Sequence, residues 1–113
     1  MDPDEIGFAV DVGGGPDGAV VAPRGELDIA TQAELRVALE REAENGAVTL
    51  DLAGVRFMDT SGLRLILETA EASRRGEFAF AVLPGSPAVQ RLFDVAGVTD
   101  LVPFRDGGEG GGS

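Results

Sequence analysis

The sequence predicts a single α/β domain built on a mixed sheet, and three observations lead there. Short runs of alternating apolar residues give way repeatedly to stretches with helical spacing, the pattern of strands joined by helical crossovers. A dense turn cluster, Gly13-Gly14-Gly15-Pro16-Asp17-Gly18, separates the first two apolar runs and reverses the chain, so these two strands pair antiparallel. The length of 113 residues, with 43% hydrophobic content and six Phe as the only aromatics, suits one aliphatic core.

Taken in order, Ile6, Phe8, Val10 and Val12 alternate with other residues and form a half-buried first strand. Ala19 to Ala22 forms the second, with Pro23 marking its end or an edge. Gly25-Glu26-Leu27-Asp28 connects to a helix whose start carries Thr31 and Glu34 at capping-box spacing. Leu35, Ala38, Leu39 and Ala43 give that helix its apolar stripe, and Asn45-Gly46 stops it. Val48, Leu50 and Leu52 alternate in the next strand. Gly54 to Met58 reads as a short loop with Phe57 and Met58 turned inward. A second helix runs from about Ser61 to Arg75, its stripe made by Leu63, Ile66, Leu67 and Ala70, with Arg74 and Arg75 suited to its negative end. Phe78 to Leu83 is a nearly unbroken apolar run, as in a buried strand. Ser86-Pro87 starts a third helix that buries Val89, Leu92 and Phe93 and stops at Gly97. Leu101 to Phe104 forms a short terminal edge strand. The expected fold is a mixed sheet of about five strands, the first antiparallel in a hairpin and the others parallel, with helices mainly on one face. The domain covers residues 1–105, and 106–113 is a Gly-rich, disordered tail.

Absent residue types narrow the chemistry. The chain has no His and no Cys, and all nine basic residues are Arg. That excludes His-based triads and proton shuttles, thiol nucleophiles, zinc and iron–sulfur ligation, and the lysines of P-loops and Schiff bases. We expect no catalytic residue, no bound metal and no cofactor. The net charge of -11 repels phosphate backbones and anionic headgroups, so neither nucleic acid nor direct membrane insertion is expected. The acidic start, Met1-Asp2-Pro3-Asp4-Glu5, lacks the basic and apolar regions of a signal peptide, and the expected location is cytoplasmic.

The segment Phe57-Met58-Asp59-Thr60-Ser61-Gly62-Leu63 resembles the signature of the STAS family, the sulfate-transporter and anti-sigma-antagonist domains: an Asp, two hydroxyl residues, then Gly-Leu. Three further stretches resemble the family in kind and order: Gly25 to Asp28, Val48 to Leu52, and Ser86 to Phe93 with Gly97. The resemblance covers nearly the whole chain except the tail. It implies a bacterial anti-sigma factor antagonist, not an enzyme. Such a protein binds an anti-sigma factor that is also a serine/threonine kinase of the GHKL type, and so releases a sigma factor. Phosphorylation of the first hydroxyl residue after the Asp, here Thr60, ends the binding, and a metal-dependent serine/threonine phosphatase restores it.

The chain departs from the family at two positions. The family's acceptor is most often Ser, which leaves Ser61 as a second choice of acceptor; and Arg64 stands where many members carry a small residue, within reach of a phosphate on Thr60. The partner-binding surface implied by the motif comprises Glu26, Asp28, Asp59, Ser61, Gly62 and Arg64. Each has a plainer structural role open to it: Thr60, Ser61 and Asp59 as helix caps, Gly62 as loop geometry, Glu26 and Asp28 as residues leading into the first helix. Two other functions compete. A carboxylate-pair hydrolase would use the many Asp and Glu residues. A STAS binding module of another assembly, such as a lipid-transporter accessory subunit or a stress-signalling scaffold, would use the same fold without necessarily being phosphorylated.

Overall fold

The computed structural model describes residues 7–105. Ile6, the start of the predicted domain and the tail over 106–113 lie outside the described residues. Strands β1 (Phe8–Gly15) and β2 (Gly18–Leu27) form a hairpin and are followed by helix α1 (Gln32–Ala43). Strands β3 (Ala47–Asp51) and β4 (Val55–Met58) come next, then α2 (Thr60–Arg74), β5 (Ala79–Leu83) and α3 (Pro87–Ala96). A 3-10 turn over Thr99–Leu101 follows α3. The sheet has five strands in the order β1-β2-β3-β5, with β4 beside β2. Among the described residues β1–β2 is the one antiparallel pair; β2–β3, β2–β4 and β3–β5 are parallel.

The hairpin is longer than the sequence pattern indicates. The triple glycine after Val12 continues β1 to Gly15, and Pro16 and Asp17 alone make the reversal, with Gly15 opposite Gly18. Pro23 neither ends β2 nor lies on an edge; it sits mid-strand opposite Val10. The reason is a gap on the other side of β2. Ala19 to Val21 pair with β3, and Gly25 to Leu27 pair with β4, so Pro23 faces neither. Glu26 donates its N–H to Gly7 on the β1 side, and Gly25 donates to Gly54 on the far side. By alternation the nitrogen of Pro23 points into the gap, where a missing donor costs little.

The same gap explains β4. Gly54 to Met58 is not a loop, because β3 and β4 behave as one interrupted strand running beside β2, broken at Leu52–Gly54. The break hides the alternation that would have identified the second half. Phe57 also differs from expectation: it is 52% exposed, while Met58 is buried. A strand residue turned away from the core stays wet whatever its hydrophobicity.

The core packs α1 through Leu35 and Leu39, and α2 through Leu63, Leu65, Ile66 and Ala70, onto Val21, Leu50, Phe80 and Val82 of the sheet. The exposed Arg36–Glu68 pair, at 2.9 Å, links α1 to α2. An exposed pair contributes about 1 kcal/mol at most, so aliphatic burial decides this contact. Helix α3 begins as predicted, with the Ser86 hydroxyl accepting from the Val89 N–H and Pro87 at the first helical position, and it ends at Gly97. After it, Leu101 to Phe104 is not a strand. It comprises the 3-10 turn and one parallel bridge, Val82 to Phe104. Phe104 is held there by two backbone hydrogen bonds of Val82, one to the Pro103 carbonyl and one from the Arg105 N–H, and by its edge-on contact with the fully buried Phe93, with ring centroids 5.1 Å apart.

Among the described residues no helix is long and apolar enough to cross a membrane. Replacing Phe93 with Ala removes both its core packing and the surface on which Phe104 rests. Urea unfolding should show a loss of about 3–5 kcal/mol; a loss under about 1 kcal/mol would contradict this account of how the chain end is held.

Candidate functional site

Two chain reversals meet at one end of the sheet: the β2–α1 connection, Asp28 to Thr31, and the junction where β4 turns into α2 at Asp59. They are tied through the backbone, since the Asp59 N–H donates to the Leu27 carbonyl at 3.1 Å. Gly62 sits between them. A Cβ at Gly62 would lie 2.8 Å from the Leu27 Cγ and 2.8 Å from the Met58 Cγ, so this first turn of α2 presses onto the sheet only because the residue is glycine. Gly25 has a comparable constraint: its φ is +104°, and a Cβ there would meet the Gly7 carbonyl oxygen.

Asp59 is the N-cap of α2. Its Oδ1 accepts from the Ser61 N–H at 2.9 Å, from the Gly62 N–H at 3.4 Å and from the Ser61 hydroxyl at 2.6 Å. The Ser61 hydroxyl first, then the backbone N–H groups of Ser61, Gly62 and Ile29, hold the Asp59 carboxyl below the usual carboxylate range against partial desolvation. Asp59 therefore caps the helix and binds Ser61; no bond from it to Thr60 is formed. Ser61 is half-buried with its hydroxyl committed to Asp59. Thr60 is exposed, and among the described residues no hydrogen bond engages its hydroxyl.

The first helix starts differently from the predicted capping box. Thr31 makes no side-chain cap. Its hydroxyl instead donates to the Glu26 carbonyl at 2.8 Å and accepts from the Asp28 N–H at 2.9 Å. Asp28 Oδ1 accepts from the Ala30 N–H at 3.0 Å and the Thr31 N–H at 3.2 Å, a local Asx turn. A side chain that bonds its own loop outcompetes the cap when the chain approaches the helix at this angle. Glu26 is an exposed strand residue beside Phe57 of β4, and Arg64 is exposed one turn into α2. Among the described residues no carboxylate lies within 4.0 Å of Arg64.

Five of the residues singled out from sequence thus gather at this end: Asp28, Asp59, Thr60, Ser61 and Gly62, with Glu26 and Arg64 flanking them. The sequence reading missed Ile29. It stands at the apex of the β2–α1 connection and is 79% exposed, a large aliphatic surface beside Asp59. The available signal was an isoleucine after Asp28 that belongs neither to the strand alternation nor to the helix stripe. Among the described residues no cluster of acidic side chains is arranged to hold a metal ion.

A mixed sheet with an antiparallel opening hairpin, carrying one unengaged hydroxyl at a capped helix start, defines a small binding domain with a surface site. The STAS domain model matches residues 10–108, and the chain belongs to the STAS domain family. It is 36% identical, over 87 residues, to an anti-sigma-B factor antagonist of Staphylococcus epidermidis, covering 75% of this chain and 81% of the relative. An anti-sigma factor antagonist from Mycobacterium paratuberculosis has a similar structure, with TM-score 0.77, 26% identity and coverage of 92% of this chain and 88% of that one. The Bacillus cell fate determinant SpoIIAA in its phosphorylated form shares the fold at TM-score 0.66 and 20% identity, over 89% of this chain and 93% of that one.

Replacing Asp59 with Ala removes the cap and should cost about 1–2 kcal/mol of folding stability at neutral pH. Because the folded-state pKa is depressed, the charge-dependent part of that stabilisation is complete above the unfolded value of about 3.9. It is lost as pH falls through the folded pKa. Urea melts of both forms should therefore converge in acid; a gap that widens below pH 4 would contradict the capping account.

Proposed function

We propose that this chain is a cytoplasmic anti-sigma factor antagonist. It binds an anti-sigma factor that is also a serine/threonine kinase of the GHKL type, and that binding frees a sigma factor. The kinase transfers the γ-phosphoryl group of ATP to the Thr60 hydroxyl, releasing ADP and a proton, and the modified chain no longer binds. A metal-dependent phosphatase hydrolyses the phosphothreonine with water, releasing inorganic phosphate and restoring the Thr60 hydroxyl. The names of the staphylococcal relatives and of the mycobacterial structure support the class of partner. One observation carries the choice of acceptor: of two adjacent hydroxyls, Ser61 is bound by Asp59 and Thr60 is exposed and unengaged.

The physics of the switch follows from position. A phosphate on Thr60 lies at the start of α2, where the positive end of the helix dipole tolerates an anion, so the domain stays folded. Arg64, four residues on, stands on the same helix face and supplies a charge-assisted partner. Docking suffers because the modification adds roughly -1.5 to -2 charge beside Asp59 on a surface that the kinase must cover. Leaving such a charge desolvated costs several kcal/mol, and each 1.4 kcal/mol or so is tenfold in affinity. A hundredfold loss needs no rearrangement. On the unmodified chain, Glu26, Asp28, Asp59 and Arg64 provide the polar contacts and Ile29 the apolar one.

Incubation with the cognate kinase and Mg-ATP, read by mass spectrometry, should place one phosphate on Thr60; Ser61→Ala should still be modified, and phosphate on Ser61 alone would reject this acceptor. In pull-downs the unaltered chain should retain the kinase and Thr60→Asp should lose it by about a hundredfold in affinity. Burial of an isoleucine is worth about 1.5–3 kcal/mol, so Ile29→Ser should weaken kinase binding at least tenfold while stability stays within about 0.5 kcal/mol. Unchanged affinity for that variant, measured by calorimetry, would remove Ile29 from the interface.

A further inference from the structure

A second surface lies on the other side of β4, between that strand and α3. It is a groove of about 350 Å³. Phe57 from β4 and Ala88, Leu92 and Val95 from α3 line it. Phe57 is 52% exposed and Val95 73% exposed, far more than the core needs to leave uncovered. Arg56 stands on the strand side and Arg91 on the helix side, both exposed. Among the described residues neither has a carboxylate within 4.0 Å, whereas Arg24, Arg36, Arg74, Arg75 and Arg105 are all paired.

The charge pattern is what makes this groove informative. Asp and Glu make up 20 residues against nine Arg, yet no acidic residue lines the groove. The α3 carboxylate adjacent in sequence, Asp94, accepts from the Thr99 hydroxyl at 2.7 Å. The chain therefore keeps an apolar strip between two unpaired guanidinium groups on an otherwise acidic molecule. We infer that this groove docks an acidic amphipathic helix of a partner protein, with apolar side chains on Phe57, Leu92 and Val95 and carboxylates on Arg56 and Arg91. The two guanidiniums belong to different elements and flank the strip, so a ligand that satisfies both must present carboxylates on either side of an apolar ridge. A helix with apolar residues at i, i+3, i+4 and i+7 flanked by Glu does so. Guanidinium–carboxylate pairs at the rim set orientation and partner choice, and the buried aromatic and aliphatic contacts supply affinity. Thr60 is not among the residues that line the groove, so docking here is tested separately from modification there.

The test titrates the full 15N-labelled chain with a synthetic amphipathic helix of about 16 residues, Leu on one face and Glu on the flanks. Two controls have Lys in place of every Glu, or Ser in place of every Leu. The expected result is saturable NMR shifts at Phe57, Leu92 and Val95 with the Glu/Leu peptide, and affinity at least tenfold weaker for both controls. The double variant Arg56→Glu/Arg91→Glu should bind the peptide at least tenfold more weakly while unfolding at the same urea concentration. Thr60→Asp should bind it like the unaltered chain, so that failure here is distinct from failure of the phosphorylation switch. Equal binding of the Lys peptide, shifts elsewhere on the surface, or no shifts at all would overturn the inference. Self-association, or binding to anionic lipid vesicles, that the double variant abolishes would reassign the groove to a second copy or to a membrane surface and overturn it as well.

Discussion

The carboxylate of Asp59 is the point on which the working end of this domain turns. Its backbone N–H is fastened to β2 at Leu27 and its side chain closes the first turn of α2. One residue thus couples the sheet to the helix and sets the angle at which the helix leaves. By taking the Ser61 hydroxyl as a third donor, it also decides which of two neighbouring hydroxyls stays unengaged. Gly62 enforces the same geometry from below, because only a residue without a Cβ lets the turn settle on Leu27 and Met58. The exposed hydroxyl of Thr60 is a by-product of capping: the helix start satisfies itself without it.

Charge is distributed with similar economy. Five of the nine arginines, Arg24, Arg36, Arg74, Arg75 and Arg105, pair with carboxylates in exposed ion pairs that add little to stability. Among the described residues, two of those without a carboxylate partner line an apolar groove, and another stands one turn beyond Thr60. On a chain with net charge -11, charge complementarity at such positions bears on partner choice more than on raw affinity. The two surfaces share β4. Phe57 faces the groove, and two residues later Asp59 opens the site.

Much of this fold was legible in the order of residues. The alternation of Val48, Leu50 and Leu52, the stripe of Leu63, Ile66 and Ala70, and the Ser86-Pro87 start each encode an element through contacts within a few residues of themselves. The family signature at Asp59 to Leu63 was likewise local, and with it the STAS resemblance. Where the reading went astray, a distant partner decided. Pro23 looked like a strand end until β3 and β4 were found to leave a gap opposite it. Gly54 to Met58 looked like a loop because β4 is too short to show a period and exists only by pairing with β2. Leu101 to Phe104 looked like a strand, but it pairs with β5 at a single bridge, and the Phe93 ring supplies the packing there.

By itself, then, the sequence determined the class of fold, the positions of its helices and the motif that carries the site, since periodicity, caps and turn residues act over short spans of chain. Only the tertiary structure decided which hydroxyl is bound and which stands exposed, that Ile29 lies beside Asp59, and that Phe57, Val95 and two arginines share one groove. Those facts depend on side chains brought together from separate strands and helices. No pattern along the chain records such a meeting, because it is set by how the sheet twists and how the elements pack.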